Sequence, residues 1–166
     1  MKPGIAPLAH DEAEAVCALA REIWRHHYPA IIGTAQTEYM LAQRYEPDDI
    51  RAELATGTMW WDALRDDGCI VAFAVSFVIE AERALKIDNL YVHPARQREG
   101  LGGALIEHAR ERAARLGLAK LVLAVNKRNV TAIDAYRKHG FEIAEAVVKD
   151  IGGGFVMDDY VMEKRL

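Results

Sequence analysis

The chain has 166 residues, 51% of them hydrophobic and 28% charged, with a formal net charge of −4. This is the length of one ordinary domain with room for a full core, and the composition is neither disordered nor membrane-like. The acidic balance lacks the basic footprint of a nucleic-acid binder, and no apolar run approaches a membrane span.

Residues 1–166 read as a single domain without linker, internal repeat or low-complexity segment. The first residues carry no apolar signal region, and Cys17 and Cys69 lack metal or redox spacing. Buried, reduced thiols and a cytoplasmic protein are therefore expected. Pro3 to Pro7 suits a short edge strand or an extended lead-in. Residues 11–27 place Val16, Leu19, Ala20 and Ile23 on a 3.6-residue stripe, the pattern of an amphipathic helix. Thr34 is a candidate N-cap for a second helix reaching about Arg44. Pro47, with Asp48 and Asp49, starts a third that Gly57 ends.

From Thr58 the period changes. Residues 59–64 and 69–78 read as strands around a tight Asp66-Asp67-Gly68 hairpin, and a turn near Glu80 to Arg83 leads into a strand over 85–92. His93-Pro94 closes that strand, because proline offers no N–H to a ladder. A glycine-rich segment, Gln97-Arg98-Glu99-Gly100-Leu101-Gly102-Gly103, then runs into a helix with Leu101, Leu105, His108 and Ala109 on one stripe. Gly117 caps its end. Residues 118–125 are almost uninterruptedly apolar, so a fully buried strand, parallel to 85–92 through a right-handed crossover, is predicted. Asn129 can N-cap the next helix, with Ala132, Ile133 and Tyr136 on one face and Gly140 at its end. The tail reads as two antiparallel strands around Gly152-Gly153-Gly154, either a plain turn or a place where a ligand approaches backbone.

A strand, a glycine-rich turn and a helix start, in that order, make an anion site. Orphan N–H groups and the macrodipole favour negative charge there, and glycine lets a phosphate approach the backbone. The P-loop pattern GxxxxGK[ST] is absent, and Leu105 stands where a dinucleotide-binding GxGxxG needs its third glycine.

What does fit is Gln97, two residues, Gly100, one residue, Gly102, which resembles the coenzyme A loop of GNAT-type N-acetyltransferases. The resemblance runs from about Leu85 to the C-terminus, and the Asn129, Ala132, Tyr136, Gly140-Phe141 pattern belongs to it. It implies an α/β (α+β) fold of GNAT type: a mostly antiparallel mixed sheet of about six or seven strands, a splayed parallel pair, and about four or five flanking helices. It also implies acetyl-CoA as acyl donor, no metal, and direct attack of a neutral amine on the thioester.

On that resemblance the backbone of Gln97, Arg98, Glu99, Gly100, Leu101, Gly102, Gly103 and Ala104 would grip the pyrophosphate. The backbone of Leu90, Tyr91 and Val92 would hold the pantetheine like an added strand, with one N–H for the oxyanion. Asn129 and Ala132 would flank the coenzyme. Tyr136 would donate a proton to the departing sulfur. An aliphatic amine is only about 0.1% neutral at pH 7, so a proton acceptor is required, and Asp88 is nominated, with Glu80 and Glu82 as alternatives. On a regular strand Asp88 and Asn89 face opposite sides, so at most one should face the acceptor.

Trp24, His26, His27, Tyr28, Tyr39, Trp60 and Trp61 are the polar and aromatic candidates for binding a small-molecule amine. The expected function is N-acetylation of such an amine. The alternatives are a protein N-acetyltransferase, a non-catalytic acyl-CoA-binding module, and another nucleotide-binding α/β domain. An exposed final strand would offer an edge for a homodimer.

Overall fold

The structure is a computed structural model and describes residues 4–166, so Pro3 lies outside the described part. One seven-stranded sheet runs in the order β1-β2-β3-β4-β5-β7-β6. Its strands are β1 (Gly4–Pro7), β2 (Met59–Asp66), β3 (Cys69–Ile79), β4 (Ala84–Val92), β5 (Lys120–Asn126), β6 (Glu142–Gly152) and β7 (Phe155–Arg165). Every neighbouring pair is antiparallel except β4 and β5. The expected GNAT-like mixed sheet with one parallel pair is therefore present. Six helices flank it: α1 (Ala13–His27), α2 (Pro29–Ile32), α3 (Thr34–Leu41), α4 (Pro47–Thr56), α5 (Leu101–Arg115) and α6 (Val130–Lys138). The sixth, beyond the expected number, is the single turn α2, which Pro29 opens at its first position.

Most local stop signals act where the sequence puts them. Gly57 and Gly117 are left-handed beyond α4 and α5, at φ 69° each. Asp67 and Gly68, at φ 52° and 79°, form the two-residue loop of the β2–β3 hairpin. Gly33, not Thr34, caps α3, and the helix stops at Leu41 rather than near Arg44. The reason is Gly33's φ of 85°, which breaks the chain between α2 and α3 and leaves Thr34 inside the helix.

Hydrophobic clusters cover both faces of the sheet. On one face α1, α3 and α4 bury Val16, Ala20, Ile23, Trp24, Met40 and Ile50 against Trp61, Phe73 and Val75. On the other, α5 and α6 bury Ile106, Ala109 and Ile133 against Leu85, Ile87, Leu121 and Leu123. A polar pin fastens α5 to β2. Buried Asp62 accepts from Arg112 through both carboxylate oxygens, at 2.5 and 3.0 Å, and the guanidinium stacks 4.8 Å from the Trp60 ring.

Three expectations need correction. The final strand β7 is interior, between β5 and β6, so the free edge is β6. Strand order depends on which distant partner a strand finds, and the β6–β7 hairpin folds back so that its second strand meets β5. Cys69 is exposed, because it opens β3 beside the hairpin loop, while Cys17 is buried and its thiol is pushed up to about 11 by burial. Strand β5 is not fully buried either, since Ala124 is exposed in its middle.

Candidate active site

The parallel pairing of β4 with β5 covers only Ala84 with Lys120, Leu85 with Leu121 and Lys86 with Val122. Beyond that the strands part, although β4 continues to Val92 and β5 stays paired with β7 as far as Asn126. The cause is visible on the other side of β4. Val75 pairs with Asn89 and Ser76 with Ile87, so Asp88 is an extra residue, a bulge that strengthens the local twist. The backbone of Leu90, Tyr91 and Val92 thus borders an open gap rather than a strand.

The bulge overturns the expected alternation of Asp88 and Asn89. Asn89 Nδ2 donates to Asp88 Oδ2 at 3.4 Å, and both line one cleft of about 160 Å³ with Arg44, Tyr45 and Glu46. Asp88 is exposed and lies 3.6 Å from Lys86 Nζ. Glu80 and Glu82 instead occupy a 3-10 turn before β4 begins, at the end of the strand away from the glycine loop.

At the far end of β4 a 3-10 turn, Pro94–Arg96, leads into the loop. Arg98 and Gly100 are left-handed, at φ 66° and 81°, a conformation that turns successive N–H groups toward a common point. Ala104 N–H is the first of the helix to reach a carbonyl, that of Gly100 at 3.1 Å. Among the described residues the N–H groups of 98–103 meet no intramolecular acceptor. A Cβ on Gly100 would touch nothing within 4 Å, and one on Gly102 only Val92 Cγ2 at 3.8 Å, so the space before the helix is open. Gly103 differs, because a Cβ there would sit 2.7 Å from the His139 ring, and its bareness lets α5 pass α6. Glu99 is held by Arg96, which also grips Asp66 at 2.8 Å and so ties the loop to the β2–β3 hairpin. Gln97 and Arg98 are exposed beside the open helix end.

Helix α6 closes the other side of the gap. Buried Asn129 caps it, accepting from Ala132 N–H at 3.4 Å. Burial pushes the Tyr136 phenol well above its ordinary value, with a smaller contribution from Tyr28, so it stays protonated at neutral pH. Its ring packs edge-on against Phe141, centroids 5.8 Å apart. The Tyr28 and Tyr91 hydroxyls meet at 3.1 Å, and burial raises both phenols as well. Helix α1 thereby delivers Tyr28 to the same locality as Tyr91 and Tyr136.

The other aromatic candidates divide. Trp24 donates at 3.1 Å to the hydroxyl of Tyr45, which lines the cleft. Tyr39 is structural: its hydroxyl donates to Ile151 O at 2.8 Å, and its ring lies where side chains on Gly152 or Gly153 would go. The triglycine is accordingly a tight turn under Tyr39. Trp60 serves the Asp62–Arg112 pin, and Trp61 donates to Glu53 at 2.8 Å while stacking on Phe73. A larger cavity of about 450 Å³ lies between β1–β2 and α4, lined by Trp60 and Trp61 but by none of the loop, Asp88 or Tyr136. His27 comes beside Asn129, with burial lowering its pKa and Asn129 opposing this, while His26 is exposed.

Sequence reasoning missed Tyr45, Arg44 and Asp159. The last left a signal, because two consecutive acids, Asp158-Asp159, on one strand must put one on each face. Among the described residues no group of three His, Cys, Asp or Glu could hold a metal, and no helix is long and apolar enough to cross a membrane.

The sequence profile described as the acetyltransferase (GNAT) family matches residues 15–141. The spermidine N(1)-acetyltransferase of Thermoplasma acidophilum is 24% identical over 97% of this chain and 96% of its own length. The ribosomal protein bS18-alanine N-acetyltransferase of Escherichia coli is 40% identical, over 49% of this chain. That match spans about half of the relative, 53% of its length. Among solved structures, PaiA N-acetyltransferase from T. acidophilum in complex with coenzyme A superposes with a TM-score of 0.85 at 21% identity, covering 100% of both chains. The E. coli ribosomal-protein-S18-alanine N-acetyltransferase gives 0.73 at 23% identity, covering 98% of this chain and 93% of that one. With a profile match across most of its length and this fold, the chain belongs to the acetyltransferase (GNAT) family.

Proposed function

We propose that the protein transfers the acetyl group of acetyl-CoA to a primary amine of a small molecule by direct attack on the thioester. One observation carries the reading. A loop of unsatisfied N–H groups, a gap between two parallel strands and a partly buried, protonated tyrosine together supply what the transfer requires. The pyrophosphate is an anion suited to the open N–H groups of 98–103, and the pantetheine amides suit the bare edge of β4. Acetyl-CoA supplies an activated carbonyl whose carbon bonds to the amine nitrogen as its carbon–sulfur bond breaks.

The chain's residues then have distinct tasks. Tyr136 gives its phenolic proton to the departing sulfur and recovers it from solvent. Asp88 accepts the proton that the amine must lose, directly or through water. An N–H freed along the gap polarises the carbonyl. Tyr28 and Tyr91 line the approach and exclude water from it.

A small acceptor is supported by similarity over nearly the whole chain to an enzyme named for spermidine. A protein amine is the second reading, motivated by the 40% identical half-length match to a ribosomal-protein acetyltransferase. Both are tested by acetyl-CoA-dependent thiol release with spermidine, spermine, aminoglycosides, free amino acids, a lysine peptide and an N-terminal alanine peptide. Saturable turnover of a small amine, lost in Tyr136→Phe, supports the first reading. Turnover of peptides alone transfers the conclusion to the second. Asp88→Asn should move the rate profile to higher pH, and an unmoved profile assigns the proton to another group.

A further inference from the structure

Two carboxylates are buried among the described residues, Asp62 at 4% and Asp159 at 7% exposure, and their circumstances are opposite. Arg112 satisfies both oxygens of Asp62. Asp159 has no hydrogen bond and no ion pair among the described residues. Its cationic neighbours are all engaged elsewhere: Lys127 with Asp158 at 2.6 Å, Lys86 with Asp88 at 3.6 Å, and Arg44 over the Trp24 ring at 5.4 Å. Burying a carboxylate without a partner is costly, so an uncompensated one beside the β4–β5 gap points to a ligand that brings the missing charge.

The sheet places Asp159 at the acceptor side of the gap. It sits on β7, directly across from Asn126 at the end of β5. Met157, on the same strand face, packs with the α1-side core, and Asp159 adds its charge to the rise of the Tyr28 phenol at the C-cap of α1. Leu123 and Val125 of β5 point into the α5-side core, so Ala124 faces the α1 side, where it is exposed. Exposed Ala124 of β5 is consequently the floor between β4 and β7, with Asp88 on one bank and Asp159 on the other. Two paired-strand spacings, about 10 Å, set the least separation of such banks, and the parting of β4 from β5 beyond Lys86 widens it, a span suited to an aliphatic chain between two nitrogens.

We propose that Asp159 binds a second, non-reacting ammonium of the acceptor, which makes the substrate class a diamine or polyamine. The inference rests on the small-molecule amine reading above. The two carboxylates suit different tasks. Asp88 is exposed and already offset by Lys86, so it can relay a proton without trapping a cation. Asp159 would hold an ammonium firmly, and a nitrogen held that way stays protonated and cannot attack. Burial and the like charge of Asp158 raise the Asp159 carboxyl, and a bound ammonium reverses that rise.

The test compares matched acceptors on the full chain: α,ω-diamines of three to six carbons, spermidine, and the amino alcohols in which a hydroxyl replaces one amine. In the wild type the best diamine should exceed its amino alcohol in kcat/KM by about 10- to 100-fold. Asp159→Asn should erase that preference by raising the diamine KM by a similar factor, with amino-alcohol turnover and acetyl-CoA affinity by calorimetry unchanged. Those unchanged controls show that the variant is folded. Equal use of diamine and amino alcohol by the wild type, or a preference that survives Asp159→Asn, overturns the role of Asp159 while the small-amine reading stands. Turnover of peptides with none of these amines overturns both together.

Discussion

The Tyr45 hydroxyl donates to Asn89 Oδ1 at 2.5 Å, linking the loop that leads into α4 with the strand bulge beside Asp88. The same hydroxyl accepts from Trp24 Nε1 at 3.1 Å, and all three residues are buried. Tyr45→Phe would leave a buried indole N–H and a buried amide oxygen without their partner. A loss of about 2 kcal/mol is expected, seen as a lower urea midpoint at unchanged slope. An unaltered midpoint would mean that the bulge is held by packing alone.

Tyr136→Phe removes one oxygen from a partly buried ring and should leave thermal unfolding and coenzyme A affinity as they were. Turnover should fall by roughly 10- to 10⁴-fold in kcat. Because burial holds this phenol far above its ordinary value, no titration of Tyr136 should shape the wild-type rate profile in the neutral range. Full activity in the variant would assign the sulfur's proton to another donor.

Gly102 separates steric from electrostatic demands at the helix end. Its φ is ordinary and an added Cβ meets only Val92 Cγ2 at 3.8 Å. Gly102→Ala should therefore fold at least as stably as the wild type, helped by up to about 1 kcal/mol of helix propensity. Gly102→Glu should abolish coenzyme A binding in calorimetry, since it places a negative charge where a phosphate would meet the free N–H groups. Undiminished binding by Gly102→Glu would move the phosphate site elsewhere.

Asp159→Asn should stabilise the protein while impairing it. Its folded pKa lies above its unfolded value, chiefly through burial, so the folded state disfavours the ionised form. That penalty is absent below the unfolded pKa, about 4, and grows as pH rises through the folded value. The variant should melt higher than the wild type near pH 8, with the difference shrinking toward about pH 4. A lower melting temperature near pH 8 would show that the carboxylate is compensated inside the protein. A gain in stability together with a loss of diamine turnover is the signature of a charge kept for a ligand.

The glycine loop was legible because its conformation is a property of local backbone. Gly100 at a left-handed φ, Gly102 without a side chain, and the helix start behind them read directly from residue types. The same holds for the Asp67-Gly68 hairpin, the Gly57 and Gly117 stops and the Asn129 cap, each decided within a few residues. The parallel pairing of β4 and β5 was legible too, since a strand, a helix and an apolar strand in succession leave little choice of crossover.

Tertiary structure alone decided which side Asp88 faces, which strand is the edge, and which carboxylate is left unpaired. A bulge in β4 depends on β3, and it cancels the two-residue alternation on which facing was argued. The edge passes to β6 because β7 finds β5, a pairing between segments well apart in the chain. Tyr45 and Asn89 are 44 residues apart, and Asp159 lies between Asn126 of β5 and Val147 of β6. Backbone conformation is set by adjacent residues, and so it can be read from sequence. Desolvation and charge compensation are set by whatever the fold brings alongside, and one chain read in order does not contain them.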